Sequence, residues 1–353
     1  MELTHPTSDR IAVLGAGSWG TALAYSLARA GRNVVLWARR EDAARTIRES
    51  RHNASYLPDV ELPESVEVTS DIDEAIADAW LWVVAVPSQS VRAVTAPLAD
   101  HAGAGTTVVS VAKGIENGTL LTTSGVLRET LPGVPPAQIG VLYGPSHAEE
   151  VGRGKPTTVV ASFPSVEVAE RVRDAFMTPT LRVYANTDLV GVEVAGSVKN
   201  VMALAAGMGD GLGLGDNAKA ATVTRGLAEI TRLGLALGAD PHTFSGLAGL
   251  GDLVVTCFSR HSRNRAFGEK IGAGRSVEDA LSDSTMVVEG VRTTASTREL
   301  AARLGVEMPI TDAVAAILAG QITPREAVCL LMERDPKLEA AHFALPPPDG
   351  TEA

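Results

Sequence analysis

The sequence predicts an α/β domain built on a doubly wound parallel sheet, followed by an all-helical C-terminal domain. Three observations carry this expectation. Up to about residue 185, short β-branched runs alternate with helical patterns. The runs are continuously apolar, as strands covered on both faces of a parallel sheet are. Beyond about residue 188 the β-runs stop, and Ala- and Leu-rich helical stretches replace them.

The strand candidates are RIAVLGAG, NVVLWARR, WLWVVAVPS, TTVVSVAKG, QIGVLYGPS, TTVVAS and LRVYAN. Helical patterns between them include TALAYSLARAG, DIDEAIADA and SVEVAERVRDAF. In the second half, helices are expected over 188–209, 216–237, 286–304, 308–319 and 323–333. Residues 1–9 read as a loose tail, as does 341–353, where ALPPPDGTEA cannot pack. The organisation is therefore 10–187 for the α/β domain and 188–340 for the helical one, with a cleft between them as the expected ligand site.

Composition narrows the function. The chain has 353 residues, 45% hydrophobic and 21% charged, as a globular protein does, with a net charge of -11. That balance argues against nucleic acid or an anionic membrane as the partner. An anionic ligand would need a local basic cluster. The two cysteines, Cys257 and Cys329, stand in no metal or redox spacing, which suits reduced thiols in the cytoplasm. The start MELTHPTSDR lacks the apolar core of a secretion signal. No apolar run is expected to reach the ~18 residues of a membrane span.

Gly15, Gly17 and Gly20 form a G-x-G-x-x-G between a strand and an apolar-periodic helix. In that context the pattern reads as a dinucleotide loop on a Rossmann-type sheet. The first glycine allows a tight turn. The second admits a pyrophosphate, and the third lets helix and strand approach. The next strand ends in Ala38, Arg39 and Arg40, where an acid would grip an NAD ribose. Two arginines suit a 2′-phosphate, so NADP is favoured over NAD.

The stretch VAGSVKNVMALAAGMG carries one charge, Lys199. On a helix, its neighbours three, four and seven residues away are Gly196, Ala195, Val192, Met202, Ala203 and Ala206. None can pair with an ammonium. Lys199 is then either a snorkelling side chain near a helix end or a functional lysine in a cleft. Asp252, between Gly251 and an apolar run, is either a helix N-cap or the missing partner of Lys199. The stretch RHSRNRAFGEK gathers Arg260, Arg263 and Arg265 around Ser262 and Asn264, donors suited to phosphate. Lys113 of SVAKG and Gly144, Pro145 and Ser146 of YGPSHAEEV lie at strand C-terminal ends, which face the ligand crevice in open α/β sheets.

Taken in order, GAGSWGTALA, WARR, AVPSQ, VAKGIE, YGPSHAEEV, EVAGSVKNVMALAAG, TFSGLAGLGDLVVTC, SRNRAFG and VVEGVRT resemble the bacterial-type NAD(P)-dependent glycerol-3-phosphate dehydrogenases, from about Arg10 to Glu333. The resemblance implies reversible hydride transfer between dihydroxyacetone phosphate and sn-glycerol 3-phosphate, serving phospholipid synthesis. It makes Lys199 the proton donor and acceptor. It assigns Lys113, Gly144, Ser146, Asn200, Asp252, Ser262, Arg263 and Asn264 to the substrate. It assigns Ser18, Trp19, Arg39, Arg40, Lys113, Ala148, Arg263, Val287 and Glu289 to the dinucleotide, beside Gly15, Gly17 and Gly20. His147 stands where many members carry an aromatic or aliphatic residue, and it has no assigned role. A metal is not implied. The partner is a small phosphorylated molecule, and closely packing Gly- and Ala-rich helices suit a homodimer. A more distant likeness reaches hydroxyacid and 6-phosphogluconate dehydrogenases. Rival readings are a β-hydroxyacid dehydrogenase, which would not need the arginine cluster, and a catalytically idle dinucleotide sensor.

Overall fold

A computed structural model describes residues 9–283, 286–336 and 338. The tails expected at 1–9 and 341–353 lie outside the described residues, apart from Asp9. The chain divides into two compact units, one of residues 1–116 and 121–189, the other of 117–120 and 190–353.

Among the described residues, the first unit holds ten strands: β1 (Arg10–Leu14), β2 (Asn33–Trp37), β3 (His52–Asn53), β4 (Leu57–Glu61), β5 (Val66–Thr69), β6 (Leu81–Val84), β7 (Thr107–Ser110), β8 (Ile139–Tyr143), β9 (Thr157–Ser162) and β10 (Leu181–Asn186). Its helices are α1 (Ser18–Arg29), α2 (Glu41–Ser50), α3 (Ile72–Ile76), α4 (Val91–Thr95), α5 (Thr123–Thr130), α6 (Ala148–Gly152) and α7 (Val166–Phe176). Eight strands form one sheet in the order β5-β2-β1-β6-β7-β8-β9-β10. The strand order reverses between β1 and β6, which is where such sheets bind ligands.

Side-chain alternation explains why these runs are apolar throughout. Ile11, Val13, Val34, Leu36, Leu81 and Val83 pack into one core cluster. Their chain neighbours Ala12, Leu14, Val35, Trp37, Trp82 and Val84 pack into another. A strand sends successive residues to opposite faces, so both faces of the sheet are dry. Each fully buried aliphatic contributes about 1.5–3 kcal/mol. Two strands depart from the expected parallel sheet: β9 runs antiparallel to β8, and β10 runs parallel to β9. A continuous apolar run encodes burial on two faces but carries no direction.

The hairpin β3–β4 forms a separate two-stranded sheet. Its Leu57 and Val60 pack with Ala22 of α1 and Ala148 and Val151 of α6, against Trp19 and Tyr25.

The second unit is helical: α8 (Leu189–Gly211), α9 (Gly215–Ala236), α10 (Pro241–Phe244), α11 (Asp252–Phe258), α12 (Arg263–Gly272), α13 (Val277–Ser282), α14 (Glu289–Arg303), α15 (Pro309–Leu318) and α16 (Pro324–Met332). Local caps begin several of them. The hydroxyls of Ser262, Ser276 and Thr323 accept backbone N–H groups at the starts of α12, α13 and α16. Contrary to the expectation that no run would qualify, α8 is long and apolar enough to span a membrane, with a mean hydropathy of 1.4. However, 89% of that window is buried within the protein, so α8 is a core helix.

α8 and α12 touch backbone to backbone. A Cβ on Gly207 would fall 2.0 Å from the Arg265 carbonyl, and one on Gly268 would fall 2.2 Å from that of Leu204. Gly211 and Gly272 continue the seam one turn further along each helix. A buried carboxyl joins α9 to α15. Glu229 accepts the N–H groups of Ile310 at 2.6 Å and Thr311 at 3.2 Å, and the Thr311 hydroxyl at 3.1 Å. Burial pushes its carboxyl up to about 7, against these bonds, which favour the anion.

Candidate active site

In the first unit, the glycine loop joins β1 to α1 at the point where strand order reverses. Gly15 has φ +127°, and a Cβ on it would lie 2.7 Å from the Ala85 carbonyl after β6. A Cβ on Gly20 would lie 1.9 Å from the Gly15 carbonyl. Gly17 meets nothing within 4 Å in the same test and is the N-cap of α1. The turn is thus closed on the protein side and open at its middle glycine. The residues fit a dinucleotide, whose pyrophosphate would rest on the N-terminus of α1 beside Ser18 and Trp19.

Arg39 and Arg40 follow β2 and are exposed. Arg40 is the N-cap of α2, and its Nε lies 3.4 Å from the Asp42 carboxylate. That pair is open to solvent, so it holds Arg40 only weakly. Lys113, beyond β7, donates from Nζ to the Gly144 carbonyl at 3.0 Å and lies 5.5 Å from the Tyr143 ring. The same carbonyl accepts the Ser146 hydroxyl at 3.1 Å. Gly144 has φ +138°, which turns the chain sharply out of β8. The fold therefore brings Lys113, Gly144 and Ser146 together. His147 is the N-cap of α6, which Ala148 begins, and its carbonyl accepts the N–H groups of Glu150 and Val151.

In the second unit, Lys199 sits mid-helix on α8 and is 5% exposed. Two of its partners come from α11. Nζ donates to the Asp252 carboxylate and, at 2.7 Å, to the Thr256 hydroxyl. Thr256 in turn donates to the Asp252 carbonyl at 2.6 Å. Asp252 is 1% exposed and is the first residue of α11, whose N-cap is Gly251. So Asp252 is the partner of Lys199 and not a cap. Attraction between the two charges offsets the cost of burying each. Thr256 escaped the sequence reading, although its i+4 spacing from Asp252 on a helix was the available signal. Nearby, burial pushes the Cys257 thiol up to about 12, so it is not a nucleophile at neutral pH.

Asn200 and Asn264 bond to each other. Asn264 Nδ2 donates to Asn200 Oδ1 at 2.9 Å, and Asn264 Oδ1 accepts the Gly290 N–H at 2.9 Å. Their amides are therefore partly engaged, which the sequence did not indicate. Arg263 begins α12 and reaches the Val287 carbonyl at 3.2 Å. Ser262 accepts the Arg265 N–H at 3.2 Å as the N-cap, so it is not only a donor. Arg265 is drawn away from this end. It bonds Asp210 at 2.7 Å and the Ser259 carbonyl at 3.1 Å, tying the loop before α12 to α8. Val287 is 40% exposed, and Glu289 opens α14.

A doubly wound sheet with a glycine cradle at its switch point, followed by a helical unit with a buried lysine–carboxylate pair, is the plan of a dinucleotide-dependent dehydrogenase. Residues 10–169 match the N-terminal model of NAD-dependent glycerol-3-phosphate dehydrogenase, and residues 188–329 match its C-terminal model. A glycerol-3-phosphate dehydrogenase [NAD(P)+] of Salinibacter ruber is 58% identical over 94% of this chain and 96% of its own length. One from Chlorobium luteolum is 54% identical over 93% of this chain and 99% of its own. The crystal structure of glycerol-3-phosphate dehydrogenase from Coxiella burnetii superposes with a TM-score of 0.88 at 38% identity, covering 93% of this chain and 99% of that one. The chain belongs to the NAD-dependent glycerol-3-phosphate dehydrogenase family.

Proposed function

We infer that the protein interconverts dihydroxyacetone phosphate and sn-glycerol 3-phosphate with NAD(P)H, supplying glycerol phosphate for phospholipid synthesis. The observation that carries this reading is the buried Lys199–Asp252–Thr256 set on the helices of a family member. When bound, the reduced dinucleotide supplies the hydride. Lys199 Nζ stabilises the charge that builds on the carbonyl oxygen and delivers a proton to it; in the reverse direction it takes the hydroxyl proton. Asp252 and Thr256 fix where Nζ points. Arg263, with Ser262 and Asn264, holds the phosphate, and Asn200 orients the reacting oxygen. Lys113, Gly144 and Ser146 serve the substrate, and Lys113 also serves the dinucleotide. Gly15, Gly17, Ser18, Trp19 and Gly20 hold the pyrophosphate, and Ala148, Arg263, Val287 and Glu289 complete the dinucleotide contacts.

We extend the proposal to NADPH as the preferred cofactor, supported by the exposed Arg39 and Arg40. A cytoplasmic setting is supported by two unpaired cysteines. A homodimer is supported by Leu330 and Met332 on α16, which are 56% and 81% exposed. The test is steady-state oxidation of NADPH and NADH with dihydroxyacetone phosphate, with unphosphorylated dihydroxyacetone as control. Turnover with the phosphorylated ketone alone is expected. No turnover with either ketone, from protein that binds a dinucleotide, would move the assignment to a β-hydroxyacid substrate or to an idle sensor.

A further inference from the structure

We propose that Asn53 is a positioning residue for the dinucleotide loop, aiming the Gly17 N–H at the cofactor pyrophosphate. The inference rests on the dinucleotide reading above. Asn53 ends β3, is 3% exposed, and lies 37 residues along the chain from Ala16. Both protons of its amide are used. Nδ2 donates to the Ala16 carbonyl at 2.9 Å and to the Thr21 hydroxyl at 2.8 Å. It therefore clasps the glycine loop on one side and the first turn of α1 on the other.

The consequence follows from peptide geometry. The Ala16 carbonyl and the Gly17 N–H belong to one planar trans peptide and point in opposite directions. Pulling the carbonyl inward onto Asn53 turns the N–H outward. Gly17 is the loop glycine with open space around its Cα, and among the described residues its N–H meets no acceptor. Without Asn53 the peptide could flip, and glycine at position 17 offers little resistance to that rotation. The loop would then present a carbonyl oxygen where an anion must bind.

Asn53 is itself held firmly. Its own carbonyl accepts the Tyr56 N–H at 3.1 Å, closing the turn into β4. Leu57 and Val60 of β4 are anchored in the apolar cluster with Ala22. A short hairpin that is separate from the main sheet thus acts as a brace for the loop.

The experiment titrates NADPH and NADH into wild type, Asn53→Leu, Asn53→Asp and Thr21→Val by calorimetry, with steady-state kinetics in parallel. Asn53→Leu should weaken dinucleotide binding roughly tenfold or more, the loss of one hydrogen bond to a charged group. Its kcat at saturating cofactor and its KM for dihydroxyacetone phosphate should stay at wild-type values. Thr21→Val spares the Ala16 bond and should stay within about threefold of wild type, well short of that loss. If Asn53→Leu does not fold, Asn53→Asp keeps the shape, sets an acceptor against the Ala16 carbonyl, and carries the same expectation. Wild-type affinity in either Asn53 variant would overturn the proposal. So would equal losses in Thr21→Val, or a fall in kcat together with a rise in substrate KM, since those mark a general packing defect. Wild-type protein that binds neither dinucleotide would instead overturn the cofactor reading, and the proposal with it.

Discussion

Removing Asp252 leaves the ammonium of Lys199 buried without the carboxylate that α11 supplies. At a separation of ~3 Å and an effective dielectric of ~20, the two charges attract by about 5–6 kcal/mol. Desolvating each ion costs several kcal/mol, so the intact pair is close to neutral for stability. The variant Asp252→Ala deletes the attraction and leaves the lysine only 5% exposed, so it should destabilise by about 3–5 kcal/mol. Lys199→Met should cost a similar amount by stranding the carboxylate. The double variant buries no charge and should recover most of either loss, giving a coupling energy of about 3–5 kcal/mol. The cavity left by Ala appears in both the single and the double variant and cancels from the cycle. Urea unfolding followed by far-ultraviolet circular dichroism is the suitable assay. All four tryptophans lie in the first unit, so their fluorescence does not report on α8 and α11. Turnover should be largely lost in all three variants. Single effects that add to within ~0.5 kcal/mol would refute the pairing argument. A double variant that regains turnover would refute the proton-transfer role.

Gly20→Ala should weaken dinucleotide binding at least ~100-fold, because its Cβ would sit 1.9 Å from the Gly15 carbonyl and force the loop open; near-normal affinity by calorimetry would show that α1 can slide away cheaply. For Glu229, burial raises the folded-state value to about 7 from an ordinary 4.5. Its stabilising contribution is therefore full below about pH 4.5 and is lost as pH rises through 7, a change of up to ~3 kcal/mol. Glu229→Gln should flatten the fall in urea midpoint between pH 5 and 8, and an unchanged slope would contradict the assignment.

Much of the fold was legible because burial and chain direction leave different traces. Both faces of the sheet are covered, so β1, β2, β6 and β7 read as unbroken apolar runs. The reversal of β9 and β10 left no such trace, because an apolar run encodes burial and not direction. Lys199 stood out for the opposite reason: it is one charge in an apolar run, and none of its neighbours three, four and seven residues away can pair with an ammonium. What the sequence could not supply was a partner 53 positions away, although Asp252 was one of two open readings. The Asn200–Asn264 bond spans 64 positions and joins two residues whose types gave no hint of pairing. Asn53 drew no notice in the sequence, because its bond to Ala16 depends on a hairpin that brings it back to the loop.

The glycine seam between α8 and α12 has a consequence for which molecules the second unit can accept. Lys199 lies eight residues before Gly207, ~12 Å along the axis of α8. Arg263 lies five residues before Gly268 on α12. With carbonyls seated in glycine notches along the seam, sliding by a turn would drive backbone into backbone. The interval between the starting points of the Lys199 and Arg263 side chains is thereby set by main-chain atoms. On the roles proposed for Lys199 and Arg263, the pair of helices is a fixed caliper, measuring how many carbons separate an oxidisable hydroxyl from an anionic end.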